Sequence, residues 1–90
     1  MPTAVVLINV RADETTRVAA KLAETAGVSE VYSVAGNYDL VAIVRVQDNE
    51  ALADLVSDRI RKVAGIVRTE TLIAFRAYSR HDLESLFGGD

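Results

Sequence analysis

The sequence predicts an α+β fold in which a four-stranded antiparallel sheet carries two helices on one face. Three observations lead there. Residues 4–10 (AVVLINV) and 40–46 (LVAIVRV) are apolar, largely β-branched runs of strand length. Each is followed by a stretch with apolar residues at helical spacing, opened by acidic or amide residues and closed by a glycine. Residues 30–35 and 66–78 supply two further strands, so the order along the chain is βαββαβ.

Element by element, residues 4–10 read as a buried strand. Asp13 then caps the first helix, with Glu14 favourable in its first turn. That helix presents Val18, Ala19, Leu22, Ala23 and Ala26 on one face and ends at Gly27. Residues 30–35 form a weaker strand. Gly36-Asn37 signals a turn, so residues 36–39 are a hairpin tip leading into the strand at 40–46. Asp48 or Asn49 caps a second helix carrying Leu52, Leu55, Val56, Ile60 and Val63, and Gly65 closes it. Residues 66–78 alternate Val67, Thr69, Thr71, Ile73 and Phe75 with Arg68, Glu70, Leu72, Ala74 and Arg76, as a strand does. The βαββαβ order is the split βαβ arrangement of ferredoxin-like domains. Residues 1–78 thus make one domain, and 79–90 a tail in which Leu83, Leu86 and Phe87 are spaced for a short amphipathic helix.

Composition bounds the function. Ninety residues make a single small domain, marginal alone unless something else helps. Half are hydrophobic but only 6% are aromatic, a large aliphatic share for so much surface. The absence of cysteine removes disulfides, thiolate nucleophiles and Cys-based zinc sites. Charged residues interrupt every apolar run short of membrane-spanning length, and residues 1–10 lack the basic start and cleavage site of a signal peptide, so a cytoplasmic location is expected. A net charge of −3 argues against a nucleic-acid partner.

A sheet covered on one side should alternate apolar and polar residues. The first and third strands do not: Val5 and Leu7 alternate with Val6, Ile8 and Val10, and Val41 and Ile43 with Leu40, Ala42, Val44 and Val46. Both faces are apolar and the helices cover one. The three apolar residues of the tail are too few for the other, so the expectation is a homodimer formed sheet to sheet.

No catalytic constellation emerges. His81 is the single histidine and sits beside Asp82 in the tail, with no nucleophile placed near it. Asp13, Asp48, Asn49 and Glu50 are accounted for by capping, no acidic cluster has metal-ligand spacing, and the glycines do not form a phosphate loop. No cofactor is expected. RNA-binding domains of the same βαββαβ order stack bases on aromatic residues of the central strands, which here are aliphatic. Arg59, Arg61 and Lys62 suit the dipole at a helix C-terminus. The segment Gly36-Asn37-Tyr38-Asp39 is harder to dismiss. Aspartate is poor in strands, yet Asp39 abuts an apolar run, where a carboxylate can accept from an ammonium group or from loop N–H groups. Thr69 and Thr71 offer hydroxyls on one face of the last strand.

These residues carry a family resemblance. Residues 31–40, VYSVAGNYDL, contain a G-x-Y-D that resembles the corresponding segment of the effector-binding (RAM) domain of Lrp/AsnC-type transcriptional regulators. Residues 65–71, GIVRTET, look like that family's entry to its last strand, and the similarity spans roughly residues 4–78. The resemblance implies dimers joined through their sheets, further association into higher oligomers, and an amino acid or related small metabolite bound between dimers. It implies ligand contacts from Gly36, Tyr38 and Asp39 in the loop and from Thr69 and Thr71 on the last strand. Asp39 would accept from the ammonium, and N–H groups near Gly36 would donate to the carboxylate. Members of the family carry an N-terminal helix-turn-helix; this sequence starts at the first strand, so a stand-alone form is expected, without direct DNA binding and able to co-assemble with full-length regulators. Two other readings share the topology. One is a cofactor-free dimeric α/β-barrel enzyme of monooxygenase or isomerase type, for which Asn9 is the only cavity candidate; the other is an oligomerisation module without ligand.

Overall fold

The computed structural model describes residues 1–80 of the chain. The elements follow the expected order: β1 (Thr3–Val10), α1 (Thr15–Ala23), β2 (Val28–Ser33), β3 (Leu40–Arg45), α2 (Asn49–Asp54) continuing into a π-helical segment (Leu55–Ile60), and β4 (Ile66–Ile73). The strands form one sheet in the order β2-β3-β1-β4, every neighbouring pair antiparallel. This is the ferredoxin-like arrangement, with the two most apolar strands in the middle. The amphipathic tail helix expected around Leu83, Leu86 and Phe87, and His81, lie outside the described residues.

Alternation sorts the central strands cleanly. Ala4, Val6 and Ile8 of β1 and Leu40, Ala42 and Val44 of β3 are fully buried beneath the helices, where Val18 and Leu22 of α1 and Leu52, Leu55 and Ile60 meet them. Val5, Leu7, Val41 and Ile43 point to the other face and are only half-buried. No polar residue is buried among the described residues.

Several local expectations change. Asp13 does not cap α1: it takes a left-handed conformation (φ 67°), and the helix starts two residues later, behind Glu14, whose carboxylate accepts from Arg17 Nε at 2.6 Å. Asp48 does cap α2, accepting from the Ala51 N–H at 2.8 Å. β2 runs from 28 to 33 rather than from 30 to 35, paired to β3 through an irregularity between Val28 and Glu30. β4 stops at Ile73 rather than at residue 78. Among the described residues it pairs with β1 alone, which begins at Thr3, and once the Ala74 N–H has reached the Thr3 carbonyl (2.9 Å) none of them offers a further strand; Phe75 beyond it is 98% exposed.

The π-helical segment also has a packing cause. In an α-helix residues five apart point about 140° away from each other. Leu55 and Ile60 are five apart and both fully buried. The wider turn, in which the Arg61 N–H donates to the Val56 carbonyl at 3.2 Å, brings both toward the sheet.

Candidate functional site

The 36–39 loop joins β2 to β3 and is stitched to β1. The Val34 N–H donates to the Asp39 carbonyl (3.0 Å) and the Asp39 N–H to the Ile8 carbonyl (2.9 Å). Gly36 sits at φ +128°, a backbone angle that side-chain-bearing residues rarely take. The aspartate that looked misplaced at the head of an apolar strand has a structural task. The β1–β4 register shifts between Asn9 and Val10. At that irregularity the Val10 N–H donates to Asp39 Oδ2 at 2.9 Å. Asn9 Nδ2 donates to the same oxygen at 3.4 Å and to the Asn37 carbonyl at 2.9 Å. Asn9, weighed above as a cavity residue, therefore ties the loop to the sheet.

Tyr38 reaches across the bare sheet face to β4. Its hydroxyl donates to Glu70 Oε1 at 2.5 Å, and the Arg68 guanidinium lies 5.9 Å from its ring centre. The hydrogen bond to Glu70 raises the phenol pKa above its ordinary value, since ionisation would break the bond and set two negative charges together; Arg68 opposes this in part. A similar group lies on the other edge strand and its neighbour. Tyr32 donates to Glu30, and Glu30 pairs with Arg45 at 3.6 Å.

Thr69 and Thr71 face the other way. They are registered with Ile8 and Val6, which point toward the helices. β4 is an edge strand and the helices leave its side of the sheet partly open. The result is a groove of about 510 Å³ between β4 and the π-helical segment, lined by Val56, Arg61, Ile66 and the two threonines among others. A more apolar hollow of about 390 Å³ continues from it along Leu52, Val56, Thr71 and Ile73.

The structure therefore brings Gly36, Tyr38 and Asp39 together with Asn9, Arg68 and Glu70. It places Thr69 and Thr71 with Arg61 in a groove on the opposite side of the sheet. Glu70 and Arg68 were missed as partners of the loop, though the alternation of β4 already put both on the face away from the threonines. Arg61 was missed as a groove residue, because a cation in a last helical turn is equally well explained by the dipole. Among the described residues no group of His, Cys, Asp and Glu could hold a metal ion, and no helix is long and apolar enough to cross a membrane.

A ferredoxin-like sheet with a half-covered apolar face, an anchored glycine-containing loop and an open groove along its edge strand places the chain in the class of small α+β domains of ferredoxin-like topology. The chain belongs to the Lrp/AsnC ligand-binding domain family, whose model matches residues 3–83. Among its relatives, the HTH-type transcriptional regulator FL11 of Pyrococcus furiosus is 32% identical over 75 residues, 83% of this chain and 49% of that protein. Among solved structures, TTHA0845 from Thermus thermophilus is 51% identical with a TM-score of 0.84, covering 89% of this chain and 100% of that one. The feast or famine regulatory protein of M. tuberculosis, complexed with L-methionine, is 34% identical with a TM-score of 0.71, covering 89% of this chain and 54% of that one. The chain spans between 39% and 49% of the length of the first curated relatives it matches.

Proposed function

We propose that this chain is an effector-binding unit that takes an amino acid or related small metabolite at an interface between copies of itself. The observation that carries the reading is the split site. The loop with Gly36, Tyr38 and Asp39 and the groove with Thr69 and Thr71 lie on opposite sides of one sheet. A loop from one copy set against the groove of another would complete the site. The half-exposed apolar face of Val5, Leu7, Val41 and Ile43 supports sheet-to-sheet pairing as the basic dimer. The methionine complex of the mycobacterial relative supports the ligand class. The likeness to FL11, a transcriptional regulator of which this chain matches about half, supports action on transcription by co-assembly with full-length regulators.

The test is a thermal-shift screen of the amino acids with native mass measured alongside. The expected result is a shift with a subset of them, together with a dimeric or larger mass. No shift with any amino acid, or a monomer at micromolar concentration, would overturn the reading. The role of the Asp39 charge is tested with Asp39→Asn rather than alanine. The amide keeps an oxygen for the Val10 N–H, so the loop stays anchored while the charge offered to an ammonium group is lost. Calorimetric binding should fall at least about tenfold in that variant.

A further inference from the structure

We infer that the β4 groove selects an effector with an anionic side chain, an acidic amino acid in preference to its neutral amide. This rests on the effector-binding reading and names the ligand class for the groove half of the site. The whole chain is acidic, at −3, yet the groove is lined by no carboxylate and carries the Arg61 side chain, while Arg68, also at its edge, points its guanidinium to the opposite face. Arg68 stacks over Tyr38 and is partly occupied there. Arg61 is not. Arg17–Glu14, Arg45–Glu30 and Lys62–Asp58 form ion pairs, and Arg61 takes part in none of them. It is exposed at the end of the π-helical segment, and it lines the groove together with the hydroxyl-bearing Thr69 and Thr71 and the apolar Val56 and Ile66.

Such a wall has a definite chemical preference. If the 36–39 loop of a second copy holds the ammonium and carboxylate that all amino acids share, the groove reads what differs between them. Val56 and Ile66 suit an aliphatic stem. Arg61 offers a planar, permanently charged fork matched to a carboxylate, and the threonine hydroxyls can donate to the same group. An amide in that position keeps a hydrogen bond from the guanidinium but loses the second charge and the bidentate fork that a carboxylate accepts. A cationic side chain meets like charge and no acceptor carboxylate on this wall.

The experiment is calorimetric titration of the full chain with L-glutamate and L-glutamine. Glutamate is expected to bind at least about tenfold more tightly. Arg61→Gln should remove that preference, cutting glutamate affinity at least about tenfold more than glutamine affinity. Arg59→Gln, in the separate hollow beside Lys21 and Glu24, should keep it. Both arginines are exposed, so neither change threatens the fold. Glutamine binding as tightly as glutamate, or a glutamate preference that survives Arg61→Gln, would overturn the inference. Binding of neutral amino acids with no preference for glutamate would sink the charge preference alone and leave the effector-binding reading standing. No binding of any amino acid would sink both.

Discussion

The two faces of the sheet are built from the same strands and end in opposite conditions. Toward the helices, Ala4, Val6, Ile8, Leu40, Ala42 and Val44 are sealed completely. On the other side, Val5, Leu7, Val41 and Ile43 are equally aliphatic and stay half-buried, with Leu72 of β4 48% exposed beside them. The difference lies in supply, not in the strands. α1, α2 and the π-helical segment provide apolar side chains for one face only. What remains is a hydrophobic surface bordered by polar groups at its margins, Tyr38, Arg68 and Glu70 in one place and Tyr32, Glu30 and Arg45 in another. That layout of apolar centre and polar rim is the one protein interfaces share.

The sharpest way to break this comparison uses neighbours on β1. Ile8 is fully buried against the helices, and Leu7 faces the open side. Ile8→Ala leaves a cavity in a core too small to repack and should cost about 2–5 kcal/mol in urea unfolding, independent of protein concentration. Leu7→Ala removes similar atoms from a surface still partly wet. Its cost to one chain should stay below about 1.5 kcal/mol, but should grow with protein concentration as self-association adds to stability by mass action. Equal and concentration-independent losses would mean that the open face is not an interface.

Much of this architecture is legible in the residues, for physical reasons. The order of elements follows from two periods, 2 in the strands and 3.6 in the helices, and both are strong here. The bare face follows from counting: β1 and β3 are apolar on both sides and the helices cover one. The details that escaped depend on contacts distant in sequence. Nothing local marks the end of β4 at Ile73; the start of β1 sets it, 70 residues earlier. The π-helical turn is imposed by two core positions five apart, Leu55 and Ile60. The structural task of Asp39 escaped because the irregularity at Asn9 and Val10 that uses it lies about 30 residues away. Thr69 and Thr71 share a family pattern with the loop, but the alternation of β4 sends them to the side away from it.

A smaller effect separates structural from functional glycine. Gly27 (φ +95°) and Gly36 (φ +128°) both hold backbone angles unfavourable to alanine. A Cβ on Gly27 would meet Leu55 Cδ2 at 2.9 Å and Val46 Cγ1 at 3.1 Å, inside the helix-side core. One on Gly36 would meet nothing within 4 Å. Gly27→Ala should therefore destabilise by about 1–3 kcal/mol more than Gly36→Ala, the overpacking cost added to a shared backbone strain. If Gly36 serves ligand binding instead, Gly36→Ala should weaken effector affinity more than it weakens folding, and calorimetry beside urea unfolding separates the two. Equal losses of stability would remove the distinction between a glycine that fits the core and one that shapes a loop.

The smallest expected effect concerns the bond that fastens the loop to the rim of the open face. Tyr38 donates to Glu70, and this raises its pKa above the ordinary 10.0. The sign follows from which form is held. The folded protein favours the neutral phenol, so the contribution of this bond is fully present below the unfolded value and is lost as pH rises through the raised one. Glu70→Ala should thus lower the phenol's midpoint in an ultraviolet titration and remove that alkaline step from the stability profile, with little change at neutral pH, because both groups are at the surface. Tyr32 is an internal control: its own raised pKa comes from Glu30 on the far margin, and Glu70→Ala should leave it unmoved. If Glu70→Ala also weakens effector binding while Tyr32→Phe does not, the rim at Tyr38 belongs to the ligand site and the rim at Tyr32 to the interface alone. Equal responses at both margins would make the two rims equivalent and withdraw the special role given to the 36–39 loop.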